Sequence, residues 1–351
     1  MSVGVAVIGA GVIGRTHIRI LAGLPPEQGR LVAIVDPGEA GARLAAEHGV
    51  PHFDAAEAML DTMRPDGAVI ATPNALHVAG MRACIARGVA ALVEKPIADD
   101  LEAAAAIAEE AERAAVPLLV GHYRRHNPLL RTARALIAEG RLGRLVSVSA
   151  DSMVLKPDSY FDTAWRREAG GGPVLINLVH DIDALRFLCG EIETVQAVTA
   201  NAARGFAVED SAAVLLRFRA GALATLSLSD AVPSPWCWDQ TCGENPVFVR
   251  HQANAYRLCG TEASLEIPEM ALWRYAGKRG WDQALTREVV AVAPGDPLVE
   301  QMRHFLRVIR REEAPLVSGR DGVATLAATL AVKRSAQTGM AIRPGFTLEE
   351  A

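Results

Sequence analysis

The sequence has no run of about 18 apolar residues, so no segment reads as a membrane-spanning helix. It has no basic excess either. Its net charge is −5, which excludes the electrostatic footprint of a nucleic-acid-binding protein. The five cysteines (Cys84, Cys189, Cys237, Cys242 and Cys259) are odd in number and scattered. They form no CxxC pair, so no disulfide framework and no zinc site is expected, and the thiols read as reduced in a cytoplasmic protein. Val3 to Ile8 starts a strand pattern at once, which leaves no room for a signal peptide. Lysine is nearly absent. Of 36 basic residues only four are lysine: Lys95, Lys156, Lys278 and Lys333. Arginine keeps its proton in a protein whereas lysine can give it up, so a lysine in a suggestive place here is more informative than an arginine would be.

What the chain does have is length and periodicity. Its 351 residues are too many for one ordinary domain and suit two. Over residues 1–123 apolar strand patterns alternate with helical ones. VGVAVIGA, LVAIVDP, VPHF, DGAVIATP, AALVEKP and PLLVGHY read as strands, with helical segments between them, including 56–63 and 99–115. Continuous apolar strands between helices predict an α/β fold with a doubly wound parallel sheet. From residue 124 to 351 the rhythm changes. Residues 128–140, 297–312 and 321–338 read as helices. LVSVSADSMVL, ETVQAVTANA, SAAVLLRFRAG and ALATLSLSD read as longer strands of a mainly antiparallel sheet, and 233–247 as an irregular loop. The second segment is therefore expected to be a separate α/β domain, with its C-terminal helices able to pack on the first.

Gly9-Ala10-Gly11-Val12-Ile13-Gly14 is a GxGxxG turn that follows a strand and opens a helix. In that setting the first glycine allows the tight turn, the second lets backbone approach a pyrophosphate, and the third lets helix and strand pack closely. The helix N-terminus supplies free N–H groups for the anion. The alternative is an ordinary glycine-rich βα turn. Asp36 ends the second strand at the fingerprint's spacing, where a carboxylate accepts hydrogen bonds from the ribose hydroxyls and repels a 2′-phosphate. Pro37, Gly38 and Glu39 follow it, with no basic residue. This predicts NAD rather than NADP. The alternative is an aspartate that caps a turn.

These motifs, with Thr72-Pro73-Asn74 and His77, Glu94-Lys95-Pro96, and Gly170-Gly171-Gly172 followed by His180 and Asp183, occur in an order that resembles the Gfo/Idh/MocA oxidoreductases. The resemblance implies an N-terminal Rossmann domain and a C-terminal domain with an open, mainly antiparallel sheet. It also implies a homodimer or homotetramer paired through that sheet. It places Thr72, Pro73, Asn74, His77, Glu94, Lys95 and His122 beside the cofactor. Asn74 could equally be a helix cap. It implies that Lys95 hydrogen-bonds the reacting oxygen and that His180 is the general acid/base. Lys95 lies at a strand end, and Pro96 holds it extended. Pairing with Glu94 is the other reading of Lys95, and a satisfied structural imidazole the other reading of His180. Val174, Leu175, Leu178, Ile182 and Leu185 fall on one stripe of the helix predicted after Pro173, and its spacing lets Asn177 and His180 share a face. Tyr123, Arg124, Trp165, Arg166, Asn177 and His180 are the candidate substrate residues. Arginine forks there could hold a carboxylate or phosphate, or make interdomain salt bridges. Trp236-Cys237-Trp238 could line the pocket mouth or pack a core.

The sequence departs from the family pattern at one point. Many relatives carry Asp four residues before the histidine; here that position is Ile176. Asn177 is the nearest polar residue, and an amide cannot accept a proton. The reading is an NAD-dependent dehydrogenase or reductase acting on a CH–OH carbon of a polyhydroxylated small molecule: a sugar, cyclitol or sugar acid. Two alternatives are a glycosidase or lyase that uses NAD without net turnover, and a non-catalytic dinucleotide sensor.

Overall fold

A computed structural model describes residues 2–345. The chain divides into two compact units. The first comprises Met1–His126 and Gly295–Leu326; the second comprises Asn127–Pro294 and Ala327–Gly345.

The first unit opens with β1 (Val3–Ile8), α1 (Val12–Gly23), β2 (Gly29–Val35), α2 (Glu39–Glu47), β3 (His52–Phe53) and α3 (Ala56–Met63). It continues through β4 (Gly67–Ile70), α4 (His77–Ile85), β5 (Ala90–Val93), α5 (Leu101–Arg113) and β6 (Leu118–Val120). The six strands form one parallel sheet in the order β3-β2-β1-β4-β5-β6. Every residue of β1, β4, β5 and β6 is buried, which is why these strands read as unbroken apolar runs rather than alternating ones. The chain reverses direction between β1 and β4. That is the switch point where such a sheet leaves a crevice at its strand C-termini.

The second unit contains α6 (Pro128–Ala138), β7 (Leu145–Met153), α7 (Val179–Cys189), β8 (Ile192–Ala200), β9 (Ser211–Phe218) and β10 (Leu223–Ser229). It goes on through α8 (Trp238–Cys242), β11 (Tyr256–Gly260), β12 (Ala263–Ile267), β13 (Ala271–Tyr275) and β14 (Leu285–Val289). Its eight-stranded sheet runs β14-β13-β12-β11-β7-β10-β9-β8, antiparallel except for the β7–β10 pair. Burial alternates along β9, as expected for a sheet with one covered face. Val214, Leu216 and Phe218 join Leu130 of α6, Ile182 and Leu185 of α7, and Tyr256 in one core. The opposite face leaves Val198, Leu215 and Leu223 exposed.

Two helices complete the chain, α9 (Pro297–Ile309) and α10 (Gly319–Thr338). Asp296 caps α9, accepting from Leu298 N at 2.9 Å and Val299 N at 3.3 Å, with Pro297 at the first helical position. α9 belongs to the first unit. Gly29 and Gly67 begin β2 and β4 without side chains, and Leu306 and Ile309 fill the space their Cβ atoms would need. Met302, Phe305 and Leu306 are fully buried, and each contributes about 1.5–3 kcal/mol of transfer free energy. The units divide within α10, after Leu326.

The 233–247 segment is not wholly irregular: α8 lies inside it. β11 to β14 went unread in the sequence: at five residues each they are too short for alternation to show, they are not wholly buried runs like β4 to β6, and β14 is exposed along its whole length. No described helix is long and apolar enough to cross a membrane.

Candidate functional site

In the first unit the glycine turn has the geometry an anion site needs. Gly9 has φ +97°, and a Cβ there would meet the Ala71 carbonyl carbon and oxygen at 2.7 and 2.6 Å. A Cβ on Gly14 would lie 2.0 Å from Gly9 O, so α1 can rest against the end of β1 only with glycine at that position. Gly11 is different. Nothing lies within 4 Å of its Cβ direction, and Val12 beside it is 92% exposed. No side chain caps α1, and its first turn holds no acidic residue. Its leading N–H groups and dipole therefore face open space, where a pyrophosphate fits.

Asp36 follows β2 and is tied to that loop. One carboxylate oxygen accepts from Ala10 N at 2.8 Å, and the other from Gly38 N at 2.9 Å. The turn-capping role is thus real. It also aims the carboxylate beside the glycine turn, where a ribose would lie. Thr72 has a buried hydroxyl with no hydrogen-bond partner, a polar atom available to a ligand. Pro73 and Asn74 are exposed, and Asn74 caps neither the short 3₁₀ turn Asn74–Leu76 nor α4. The capping reading of Asn74 is therefore corrected: the helix it was expected to cap starts at His77, after that turn.

His77 is buried and spans two segments. Its Nε2 lies 2.9 Å from Thr72 O, and its Nδ1 lies 2.8 Å from Pro96 O. It joins the 72–74 loop to the segment just after Lys95. Lys95 itself is half-buried and follows β5 directly. Glu94 is engaged with another residue: its Oε1 lies 2.7 Å from Nε2 of His17, a fully buried residue of α1. That histidine lies three residues past the GxGxxG turn and was missed in the sequence, where its only signal was a polar residue on the buried stripe of α1. His122 is buried at the end of the last parallel strand, and Tyr123 is half-buried. Arg124 and Arg125 are buried, and Arg125 pairs with Asp321 at 3.1 Å, which makes it a structural cation of this unit.

In the second unit Gly170-Gly171-Gly172-Pro173 enters a π-helical turn, Val174–Leu178, followed by α7. π turns widen the backbone and often occur at functional sites. Val174, Leu178, Ile182 and Leu185 are buried as expected, but Leu175 is only half-buried, because the π turn breaks the α-helical spacing. The spacing argument that put Asn177 and His180 on one face assumed a continuous α-helix and does not carry across this turn. Both residues are half-buried, and Asn177 Oδ1 is a buried acceptor without a partner. Asp181 accepts from the Tyr256 hydroxyl, and Tyr256 stacks on Trp238 at 5.5 Å. Trp238 is therefore core, whereas Trp236 is half-exposed. Trp165 is half-exposed as well, and Arg166 Nη1 donates to Tyr160 O at 2.7 Å.

A βαβ glycine turn over an uncapped helix N-terminus, with a carboxylate at the end of β2, defines a dinucleotide-binding Rossmann unit. Comparison with known proteins gives the particular family. A family model for the NAD-binding Rossmann fold of the oxidoreductase family matches residues 3–122, and one for the GFO/IDH/MocA C-terminal domain matches residues 130–266. The 1,5-anhydro-D-fructose reductase of Ensifer adhaerens is 29% identical over 342 residues, 95% of this chain and 96% of that one. The rhizopine catabolism protein MocA of Rhizobium meliloti is 31% identical over 243 residues, 67% of this chain and 74% of that one. Among solved structures, the WlbA dehydrogenase from Bordetella pertussis, in complex with NADH and UDP-GlcNAcA, matches with a TM-score of 0.80 at 25% identity, covering 99% of this chain and 100% of that one. The chain belongs to the Gfo/Idh/MocA family of dehydrogenases and reductases that act on CH–OH groups.

Proposed function

We propose that this protein is an NAD-dependent dehydrogenase or reductase of a polyhydroxylated small molecule: a sugar, cyclitol or sugar acid. The carrying observation is the open N-terminus of α1 at Gly11, with the Asp36 carboxylate fixed beside it. That arrangement suits a diphosphate followed by a ribose whose 2′ position is a hydroxyl, which is why NAD is favoured over NADP. The names of the relatives, a reductase of an anhydro-sugar among them, support the substrate class.

Bound nicotinamide supplies the hydride acceptor or donor. The chain's own residues must hold the substrate oxygen and move its proton. We assign the first task to Lys95, whose ammonium would hydrogen-bond the reacting oxygen, and the second to His180. Asn177, with a buried carbonyl oxygen lacking a donor, would accept a hydrogen bond from a substrate hydroxyl. It cannot take a proton, so the usual aspartate's part falls on His180. Tyr123, Arg124, Trp165 and Arg166 are assigned to substrate, and His122 to the cofactor. The exposed apolar residues on the open face of the second unit's sheet support a homo-oligomer paired there. The scattered thiols support a cytoplasmic location.

The test is absorbance of reduced nicotinamide while the protein is offered NAD or NADP with sugars, cyclitols and sugar acids. A one-for-one rise with NAD is expected. NAD binding together with substrate consumption but no net rise would replace this reading with the glycosidase-type one.

A further inference from the structure

Lys156 is one of only four lysines, and it is buried. It follows β7, with its amide bonded to Asp230 O at 2.9 Å. Its Nζ pairs with Asp230 Oδ2 at 3.1 Å and meets no other acceptor, so the ammonium's remaining donors are unspent. The same carboxylate also serves Arg204, whose Nε is 3.4 Å from Asp230 Oδ1. Asp230 thus answers two cations.

The rest of the cluster does not restore balance. Asp210 is occupied by the amides of Ala203 and Arg204 and by the Ser211 hydroxyl. Asp158 is fully exposed and 3.8 Å from Arg204. Arg204 spends its fork locally: Nη2 donates to Lys156 O and Asp230 O. Arg166 brings a third cation. Its Cζ lies 4.1 Å from the Tyr160 ring centroid, and Lys156 Nζ lies 4.7 Å from the same centroid. Arg166 makes no ion pair among the described residues, and its Nε is buried without a partner. Two cations with unused donors therefore stand against one aromatic ring, in surroundings with too little negative charge.

The cluster is joined to the glycine turn. A Cβ on Gly171 would lie 2.4 Å from Trp165 O and 2.7 Å from Arg166 Cα, so the turn rests on the backbone that carries Arg166. That turn leads straight into the helical segment bearing Asn177 and His180.

We propose that Lys156 and Arg166, held against Tyr160, form an oxyanion subsite of the second unit that selects substrates bearing a carboxylate or phosphate group. This deepens the proposed function and rests on it, since it takes the second unit to be the substrate-binding one. An oxyanion supplies an acceptor for Arg166 Nε and for the Lys156 donors that Asp230 leaves unspent, and it offsets the surplus charge. Burial already pushes the Lys156 ammonium below the ordinary lysine value, against the pull of Asp230, so a second anion would be strongly felt there.

The experiment compares matched neutral and anionic compounds on the same carbon skeleton: a sugar, its uronate and its phosphate ester, with NAD. The wild type should show kcat/KM at least tenfold higher for one anionic form. Preference for the uronate identifies a carboxylate, and preference for the ester a phosphate. Lys156→Gln and Arg166→Gln should each reduce the anionic-to-neutral ratio by tenfold or more, with the NAD dissociation constant moved less than threefold. Arg166→Lys should restore part of the ratio. Should Lys156→Gln lower folding, read from near-UV circular dichroism, Arg166→Gln decides, because it breaks no ion pair. Equal kcat/KM for neutral and charged forms, or a ratio unchanged in Arg166→Gln, overturns the subsite and leaves the dehydrogenase reading standing. Absence of any turnover refutes the dehydrogenase reading instead. Calorimetric titration of the uronate and the phosphate ester then tests the subsite alone. Binding that Arg166→Gln abolishes supports it, and no binding of either anion overturns it.

Discussion

Asp36 carries two separable contributions, and two substitutions distinguish them. Its hydrogen bonds hold the glycine turn, and its charge selects the cofactor. The bond from Ala10 N is 2.8 Å long and Ala10 is buried, so Asp36→Ala leaves a buried N–H without an acceptor and without water. That costs about 1–3 kcal/mol. The bond from Gly38 N, at 2.9 Å, is on an exposed residue, where water replaces the lost oxygen at little cost. The unfolding midpoint of the first unit should therefore fall by about 2–10 °C in Asp36→Ala. Asp36→Asn keeps one carbonyl oxygen for Ala10 N and should lose about 1 kcal/mol or less, the difference between a charged and a neutral acceptor. Both variants abolish the negative charge, so both should relax discrimination against NADP to a similar extent. Thermal unfolding followed by circular dichroism, and calorimetric titration with NAD and NADP, read the two effects separately. Equal destabilisation by Asn and Ala would refute the hydrogen-bond argument. Retained NADP discrimination in both would refute the placement of the ribose.

Other consequences are as direct. Lys95→Ala should abolish turnover while leaving NAD affinity within a few-fold; normal turnover would remove Lys95 from the chemistry. His77→Ala should weaken NAD binding by tenfold or more in titration, since it releases the Thr72 and Pro96 carbonyls from a shared anchor; unchanged affinity would mean the two segments hold their places unaided. Burial pushes the Cys84 and Cys189 thiols up to about 12, so at pH 8 about one in ten thousand of each is thiolate. Mass-resolved alkylation of the native protein should leave both unlabelled, and prompt labelling of either would show that it is not buried. The sign of the linked stability effect is also fixed. Unfolded thiols ionise near 9.0 while the folded ones hold their protons to about 12, so these two groups leave stability unchanged below pH 9 and lower it as pH rises through that interval.

The parallel unit was legible in the sequence because its strands are buried on both faces. Each of its longer strands is an apolar run bounded by turn residues, and the helix read at 56–63 coincides with α3. The strands of the second unit that were legible are the long ones, β7 to β10, of seven to nine residues, where one covered face has room to show alternation, most clearly in β9 and β10. β11 to β14 offered no such window. The π turn at Val174–Leu178 was illegible for another reason. Nothing in Val174–Leu178 marks a π turn in the sequence, since Val174 and Leu178 are buried as one stripe of an α-helix would have them. A spacing argument across it therefore fails.

The candidate site shows the same division. Residues whose role is set by backbone shape were readable one by one, since a GxGxxG between strand and helix admits few geometries. Residues whose role depends on distant partners were not. His17 gains its meaning from Glu94, 77 positions away, and Lys156 from Asp230, 74 positions away. The four lysines differ in burial. Lys278 is exposed and Lys333 half-buried, whereas Lys95 follows the end of a fully buried strand and Lys156 is enclosed. In a chain that places arginine almost everywhere it needs positive charge, an enclosed lysine implies a need for something arginine does not provide. A compact ammonium that fits beside an aromatic ring and leaves donors unspent meets that need, and so does one able to exchange a proton. Lys156→Arg separates the two demands. It keeps the charge but enlarges the head group, so loss of anion preference in that variant would show that size, and not charge alone, defines the subsite.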